Sequence, residues 1–440
     1  MLASAGSAVG LGNVWRFPTE VGANGGAAFI LMYIACVVLL GLPLMVSEFV
    51  IGRHTHKNTA DAYRQLAPRS WWVFQGYLGV FTSWFILCYY CVVAGWTLKY
   101  LIAALAGQVT TLDDSAAYFV NFTANPWAPL LFMVAVMLMC HWIVARGVQE
   151  GIEKYSKLMM PLLLLIIAVL VVCSFSLPGS RDGLRFLLRP DFSKLTSSVV
   201  LSAMGQSFFS LSLAMGCLCT YASYFTDDAR LMKTAGSVVV IDTCVAIMSG
   251  FIIFPAVFSV AGMSPGAGAG LVFITLPSVF QMAFAGVPWL GWFFAVLFYL
   301  LLLLAALTSM MSIHEASTVF ILERFHLARR TATWLVTLSC IAVGVPCALS
   351  FGPLKDCTPL WGMTFFDLFD FVSAKIFLPV GGIIIALFVG WRLPHHLVLD
   401  EVTNHGTLNK RLFPVYYFLT RWVAPLAIGL IFLNELGIFQ

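Results

Sequence analysis

The 440-residue chain is 60% hydrophobic and only 10% charged, with a mean hydropathy of +0.93. Because a soluble globular domain has about 25% charged residues, this composition excludes an ordinary soluble domain and indicates a membrane protein. The net charge is a modest +4, and the basic residues are dispersed between apolar runs, so no nucleic-acid partner is expected.

The first apolar run, MLASAGSAVGLGNVWRFP, is interrupted by Gly6, Gly10 and Gly12. Glycine is poor in helix interiors and permits close backbone approach, so we predict two half-helices joined by an unwound segment around Val9 to Gly12. Unwound backbone at membrane depth is tolerated only where it is buried in protein or lines a cavity. The segment is therefore a candidate ion or solute site, and with no small-residue cleavage site after it it is predicted to belong to the membrane body.

About eleven apolar runs approach the roughly 20 residues that cross a bilayer. The predicted limits are 1–19, 27–53, 74–106, 127–146, 153–177, 196–224, 232–262, 287–325, 331–350, 366–392 and 412–436. When alternate loops are assigned to one side, most lysines and arginines gather there, and the positive-inside rule makes that side cytoplasmic. We expect a multi-pass protein whose N-terminus is cytoplasmic.

A second interruption falls in the sixth run, GQSFFSLSLAMGCLCTYASY, five runs after the first. Small residues that merely let helices pack explain either interruption alone, but paired breaks in corresponding positions indicate an inverted-repeat transporter with a midplane site. The predicted fold is an all-α polytopic membrane protein with a 5+5 inverted repeat and discontinuous helices 1 and 6. The repeats are predicted at 1–177 and 196–392, with one extra helix at 412–436.

Enzyme and metalloprotein signals are weak. His314 and Glu315 form an HE pair, but Thr318 occupies the fifth position of the HExxH pattern, and neither a GxSxG elbow nor a P-loop is present. The cysteine pairs, Cys88/Cys91 and Cys217/Cys219, have no histidine or second pair at zinc-like spacing. We expect no enzyme; a channel, a solute sensor and a transporter coupled to another ion stay open as alternatives.

Several motifs together resemble the neurotransmitter:sodium symporter family: SAGSAVGLGNVWRFP, the NGG at 24–26, GLPLMVSEFVIGR, GIEKYSKLMMP and the sixth run. The resemblance extends over nearly the whole chain, and the short loops are most similar to the family's bacterial amino-acid transporters. It implies import of an amino acid by alternating access, driven by Na+ and most simply by two ions. It also implies that the protein resides in the inner (plasma) membrane, where lipid surrounds it, and it is compatible with a homodimer.

The resemblance implies two sodium sites. The first has as its ligands Ala8, Asn13, Ser210 and Asp242, completed by the substrate carboxylate. The second has the carbonyls of Gly6, Val9 and Ala305 and the hydroxyls of Thr308 and Ser309. Oxygen ligands without sulfur or imidazole suit a hard monovalent cation. Without the resemblance, the two hydroxyls of the eighth run would be interpreted as bonding back to their own helix.

The implied substrate pocket lies between the two breaks and comprises Ala8, Gly10, Gly12, Ile86, Tyr90, Phe209, Ser210, Ser212, Met215, Ser309 and Ile313. Backbone amides near Gly10 and Gly12, a positive half-helix end and Tyr90 would bind a carboxylate. Tyr89 is adjacent, and alignment to Trp96 favours Tyr90. Amine carriers of the family have aspartate where this chain has Gly10, which implies a substrate with its own carboxylate. The apolar lining predicts a neutral hydrophobic L-amino acid, aliphatic or aromatic, since methionine is adaptable.

Two charged positions match an outer gate. A lone charge within a span costs about 2.5 to 3.5 kcal/mol unless it is hydrated or paired, and the resemblance pairs Arg16 with Asp370 above an aromatic lid of Tyr90 and Phe209. Asp367 is a competitor for the acidic position. On the inner side, the gate positions are matched by Tyr224 and Glu323, although the arginine and tryptophan that normally complete that gate have no match in the chain.

Chloride dependence follows from the same resemblance. Tyr33, Gln206 and Ser210 match the chloride neighbourhood, but Ala246 stands where relatives have a serine for chloride or a glutamate in its place. Asp242, one helical turn earlier, could supply the negative charge, so chloride-independent transport is predicted. The alternative is that Asp242 is a sodium ligand only, and its protonation on the return step is a hypothesis.

Overall fold

The computed structural model describes residues 9–112, 114–259, 271–284 and 286–435, and every regular element in these ranges is a helix. Nine of these helices are long and apolar enough to cross a membrane. In chain order they are spans 2 to 5, Ala27–Thr55, Val73–Leu105, Ala128–Ala145 and Glu150–Ser174, and spans 7 to 11, Leu231–Phe258, Pro288–Phe325, Arg329–Leu349, Phe365–Arg392 and Lys410–Leu433. Their ends agree with the predicted limits to within four residues.

Span 1 is described from Val9 onward. Val9 and Gly10 are non-helical, a π-helical turn covers Gly12–Arg16, and an α-helix follows at Phe17–Ala23. The unwound segment predicted from Val9 to Gly12 is therefore confirmed for Val9 and Gly10, whereas Leu11 and Gly12 are already helical. The preceding half, with Gly6 and Ala8, lies outside the described residues.

Span 6 consists of two helices, Ser197–Ser210 and Cys217–Ala222, with a six-residue break between them. Within the break Ser212, Ala214 and Gly216 all have positive φ, at 55°, 59° and 72°. Non-glycine residues there store about 1–3 kcal/mol each, so surrounding contacts must hold them. The discontinuous sixth helix of the predicted fold is confirmed.

The break in span 6 is held from span 2 and from the short helix Thr59–Leu66. The Glu48 carboxylate, 2% exposed, accepts a hydrogen bond from the Ala214 amide at 2.7 Å and one from the Cys219 backbone. Thr59 Oγ1 donates to the Gly216 carbonyl at 2.8 Å. Glu48 thus gives a partner to the Ala214 amide within the break, and Thr59 adds a second donor to the Gly216 carbonyl, which also accepts from the Thr220 amide.

Span 8 is the central scaffold helix. It packs along span 3 and also contacts spans 4, 5 and 9. Its polar residues from Thr308 to Thr318 are buried against protein rather than turned to lipid, since hydroxyls and charges in a span need internal partners. The remaining α-helices of the described residues are short: Thr59–Leu66, Ser115–Ala124, Ser180–Leu188, Leu276–Ala283 and His395–Thr403. The division into repeats at 1–177 and 196–392 stays a prediction.

Candidate functional site

Asn13 lies at the centre of a polar cluster where the breaks of spans 1 and 6 meet span 7. Its Oδ1 accepts from the Gly10 amide at 2.9 Å. Its Nδ2 lies 3.0 Å from Ser210 Oγ, 3.0 Å from the Asp242 carbonyl and 2.7 Å from Asp242 Oδ1. Because an amide nitrogen has two hydrogens for these three acceptors, the side chain is held in one orientation by residues 197 and 229 positions away.

The Asp242 carboxylate is fully buried, and its neighbours are neutral. Ser210 Oγ lies 3.0 Å from its Oδ1 and 2.9 Å from its Oδ2, and the Tyr33 hydroxyl donates to Oδ2 at 3.2 Å. No lysine or arginine of the described residues forms an ion pair with it. A buried carboxylate without a countercharge costs several kcal/mol, and a bound monovalent cation would offset that cost.

A second set of oxygens joins span 1 to span 8. Thr308 Oγ1 lies 3.1 Å from the Val9 carbonyl and 3.0 Å from the Ala305 carbonyl, and it also bonds back to Leu304 at 3.1 Å. The back-bonding expected of an ordinary membrane threonine is thus present. The contact with Val9, 299 residues away, is not explained by it and brings three candidate sodium ligands together.

Gly10 allows the backbone of span 1 to approach span 8 closely. An ideal Cβ at this position would lie 1.8 Å from Ser309 Oγ and 3.0 Å from the Tyr90 hydroxyl. The Tyr90 hydroxyl accepts from the Leu11 amide at 2.9 Å and hydrogen-bonds Ser309. Any side chain at position 10, the aspartate of amine carriers included, would therefore displace the groups predicted to bind a carboxylate.

A small central cavity adjoins these groups. Its lining residues are Gly12, Ile86, Tyr90, Phe209, Ser210, Ser212, Met215, Ser309 and Ile313, which are nine of the eleven residues predicted for the substrate pocket. Gly10 lies next to Ser309 but is not among the lining residues, and Ala8 is outside the described residues. The free space is about 10 Å³, room for about one water molecule, so the structure describes a closed pocket whose side chains must move apart to admit a solute.

On one side the cavity is covered by an ion pair and an aromatic ring. Arg16 Nη2 lies 3.2 Å from Asp370 Oδ2, and its guanidinium lies 4.7 Å from the centre of the Phe209 ring. The Phe209 and Tyr90 rings are 6.4 Å apart. Asp367 instead accepts from Thr364 at the start of its own helix, at 2.7 Å, so the structure places Asp370 opposite Arg16.

The neighbouring tyrosine has a different partner. Tyr89 donates to Asp370 Oδ1 at 3.2 Å and hydrogen-bonds Ser373 at 3.1 Å. It therefore orients the acidic member of this pair, whereas Tyr90 lines the cavity.

The predicted inner-gate residues have separate partners. Tyr224 donates to Glu315 Oε1 at 3.2 Å, and Glu315 forms an ion pair with Arg329. Glu323 accepts from the amide and side chain of Asn58, at 3.0 and 2.6 Å. A gate made by Tyr224 and Glu323 stays a prediction.

The three residues that match the chloride neighbourhood do not share one partner. Tyr33 and Ser210 contact the Asp242 carboxylate, but Gln206 Nε2 donates to the Gly12 carbonyl at 2.7 Å. Gln206 therefore stabilises the start of the span 1 half-helix. Ala246 is fully buried and offers no hydroxyl.

Four polar residues around the breaks were given no role from the sequence. Glu48 and Glu315 could have been found as carboxylates inside apolar runs, which need a partner, whereas Arg329, which pairs with Glu315, lies at the start of span 9. Ser249 Oγ donates to the Asn13 carbonyl at 2.6 Å, and a serine in a span gives no comparable signal. Partner identity depends on packing between distant segments, which the chain order does not show.

Comparisons with known proteins agree with this geometry. A family model described as the sodium:neurotransmitter symporter family matches residues 1–121 and 121–440. An uncharacterized sodium-dependent transporter of Bacillus subtilis, YhdH, is 39% identical over 443 residues, covering 100% of this chain and 96% of that protein. An uncharacterized sodium-dependent transporter of Haemophilus influenzae is 33% identical over 449 residues, covering 98% of this chain and 95% of that protein.

A solved structure is similar over nearly its full length. The crystal structure of MhsT in complex with L-phenylalanine superposes with a TM-score of 0.92 at 40% sequence identity, covering 98% of this chain and 97% of that one. The fold described above is thus shared with that protein over nearly the whole chain. Together with the family match, these findings show that the chain is a multi-pass membrane protein belonging to the sodium:neurotransmitter symporter family.

Proposed function

We propose that this protein is a chloride-independent symporter that uses two sodium ions to import neutral hydrophobic L-amino acids across the inner membrane, with its N-terminus in the cytoplasm. The observation that carries the proposal is the Asp242 carboxylate, buried without a countercharge beside Asn13 and Ser210. That cluster lies where two unwound segments meet, which is where transporters of this architecture bind their ions.

The first sodium would be held by Asn13, Ser210 and Asp242, with Ala8 as the fourth protein ligand. Carboxylate, amide and hydroxyl oxygens form a hard donor set that suits an alkali cation better than a transition metal. The short distances among these three side chains support one shared site. Asn13 directs Nδ2 to Asp242 and Oδ1 to Gly10 in this structure, so its amide would have to turn for Oδ1 to bind the ion. Their burial would exclude competing water from the ion.

The second sodium would bind between span 1 and span 8. Thr308 Oγ1 already lies close to the Val9 and Ala305 carbonyls, and Ser309 and Gly6 would complete the set. An ion there would tie the moving half-helix to the scaffold span. Losing it would free span 1 to move, which gives sodium control over the conformational change.

The substrate carboxylate would bind beside the first sodium. A negative charge would be stabilised there by the amides at the start of the half-helix, by the positive end of its dipole and by the Tyr90 hydroxyl. Ile86, Met215 and Ile313 would contact an apolar side chain. The relative MhsT was solved with L-phenylalanine, which supports a hydrophobic amino acid.

Chloride independence rests on the same carboxylate. Tyr33 and Ser210, which match the chloride neighbourhood, both contact Asp242. A second anion beside a buried carboxylate would be repelled. This fixed negative charge would balance one of the two sodium ions without chloride.

Coupling follows from the shared coordination shell, because sodium and substrate each bind more tightly when the other is present. Spans 1 and 6 would rock against the scaffold, opening the Arg16–Asp370 side and the opposite side in turn. The ion pair and Phe209 close one route in this structure, so transport requires that contact to break in each cycle.

Uptake of radiolabelled hydrophobic amino acids into proteoliposomes with an imposed sodium gradient tests the proposal. We expect accumulation that depends on sodium but not on chloride. Asn13→Ala should abolish it, whereas Asn121→Ala, on an exposed position of the helix Ser115–Ala124, should not. Equal accumulation in potassium would refute sodium coupling, and binding without accumulation would favour a sensor.

A further inference from the structure

A lipid-facing groove runs between spans 4, 5 and 8. It encloses about 590 Å³ and is lined almost wholly by apolar side chains, with Leu138 and Met139 on span 4, Met159 on span 5 and Leu304 and Leu307 on span 8. Most apolar residues on a membrane helix need no explanation, since lipid surrounds them. A recess of this size between three helices instead offers a defined place for a chain-shaped apolar ligand.

One end of the groove is polar. Trp142 and Tyr155 form its rim, and the Arg146 guanidinium lies 3.5 Å from the centre of the Trp142 ring and donates to the Tyr155 hydroxyl at 3.2 Å. Stacking on an aromatic face and a fixed hydrogen bond hold this long side chain in one place. The groove therefore has an apolar body and a positioned cationic rim.

The charge of Arg146 is not neutralised by any described carboxylate. No carboxylate of the described residues lies within ion-pair distance of it, whereas Lys157, nearby along the chain, is paired with Glu153 at 2.7 Å. Arg146 follows the last turn of span 4 on the side where the basic loops gather. Phospholipid phosphates lie at that level of the membrane, and basic pockets between spans bind anionic headgroups.

We infer that this groove binds one anionic phospholipid, with an acyl chain between spans 4, 5 and 8 and its phosphate on Arg146. A phospholipid matches both parts of the site: the apolar body excludes a free phosphate or a soluble peptide, and the unneutralised guanidinium distinguishes an anionic lipid from a neutral one. A second copy of the chain is the competing occupant, and the experiment below separates the two.

Lipid in this groove would act on transport through span 8. Leu304 and Leu307 form part of the groove wall, and Ala305 and Thr308, their immediate neighbours, hold two of the oxygens assigned to the second sodium site. An acyl chain packed on that wall would restrict span 8 and so favour sodium binding. This consequence rests on the proposed function, whereas the lipid site itself does not.

Native mass spectrometry of the whole protein, released from mixed phosphatidylglycerol and phosphatidylethanolamine, tests the site. We expect one retained phosphatidylglycerol. Arg146→Gln should reduce its retention about fivefold, the factor for one basic residue near an anionic surface. Arg392→Gln removes another exposed arginine of the basic side and should leave retention unchanged.

A second pair of variants tests the apolar body of the site. Ala135→Phe would fill the groove, whereas Leu131→Phe places the same ring one turn away on a side chain that is 67% exposed. Only the first should lower lipid retention. Unchanged retention in both Arg146→Gln and Ala135→Phe overturns the proposal. Equal retention of phosphatidylethanolamine and phosphatidylglycerol also overturns it. If these variants lose a dimer of the protein and not a bound lipid, the groove is occupied by a second copy of the chain and the proposal is wrong.

Sodium dependence then tests the effect on span 8. In liposomes that contain phosphatidylglycerol, half-saturating sodium should be lower than in liposomes without it, and Arg146→Gln should remove the difference. A retained lipid with no such difference refutes the coupling to span 8 but not the site. Absence of any sodium dependence would count against the proposed function while leaving the lipid measurement valid.

Discussion

Gly10→Ala is expected to weaken sodium-driven uptake severely, although it adds a single methyl group. The new Cβ would lie 1.8 Å from Ser309 Oγ, 2.8 Å from Ser309 Cβ and 3.0 Å from the Tyr90 hydroxyl. Ordinary contact begins near 3.4 Å, so the Ser309 hydroxyl must retreat by about 1.6 Å, the difference between the two distances. Both displaced hydroxyls belong to the proposed ion and carboxylate sites.

The size of the effect follows from overpacking. Extra methyl groups in a close-packed interior cost about 1–3 kcal/mol, which corresponds to about 5- to 140-fold in apparent affinity when it falls on the bound state. Gly12→Ala should be milder, since its Cβ would meet Phe209 at 3.3 Å. Gly236→Ala should be neutral, because nothing lies within 4 Å of its Cβ.

Half-saturating sodium and substrate in proteoliposome uptake would measure this series. A double-mutant cycle with Ser309→Gly isolates the clash, because removing the serine side chain should make Gly10→Ala less damaging than it is in the parent protein. The reasoning is refuted if Gly10→Ala transports like the parent, or if its effect is the same with and without Ser309.

Three further outcomes are expected. Thr308→Val keeps the shape of the side chain but removes the hydroxyl beside Val9. The sodium concentration that gives half-maximal uptake should rise about tenfold, because one lost hydroxyl ligand costs about 1.4 kcal/mol. A sodium titration of uptake that matches the parent protein would count against the second site. Asp242→Asn should slow uptake and make it respond to added chloride, measured in chloride and gluconate buffers; no chloride response would mean that the negative charge is supplied elsewhere. Asp370→Asn should weaken closure over the substrate and speed substrate dissociation about tenfold, because a charged hydrogen bond is worth about 1.5 kcal/mol. Adding Arg16→Gln to this variant should not speed dissociation further. Additive effects of the two substitutions would show that the two side chains act separately.

The sequence alone predicted the membrane architecture well, because the bilayer imposes a simple length rule. Apolar runs of about 20 residues are needed to cross it, and nine runs have boundaries that the structure reproduces to within four residues. The breaks were also predicted from the sequence, since glycine is poor in helix interiors and the two interruptions stand in corresponding positions of two halves. In span 6 the positive φ values of Ser212, Ala214 and Gly216 show how that interruption is realised.

Choices between neighbouring candidates needed the tertiary structure. Asp367 and Asp370 are three residues apart on one helix and lie on similar faces, so only the position of Arg16 decides which one it meets. Tyr89 and Tyr90 point about 100° apart, and their partners come from spans 10 and 1.

The sequence by itself determined how many times the chain crosses the membrane and where two of its crossings are unwound, because hydrophobicity and helix propensity are local properties. Tertiary structure alone decided which side chains bind the backbone at the breaks, as Glu48 binds the Ala214 amide and Gln206 binds the Gly12 carbonyl at the start of the half-helix. It also placed Asp242 beside Asn13, 229 residues away. Such pairs depend on how distant helices pack, and the energy of a buried charge is set by the partners that packing brings to it.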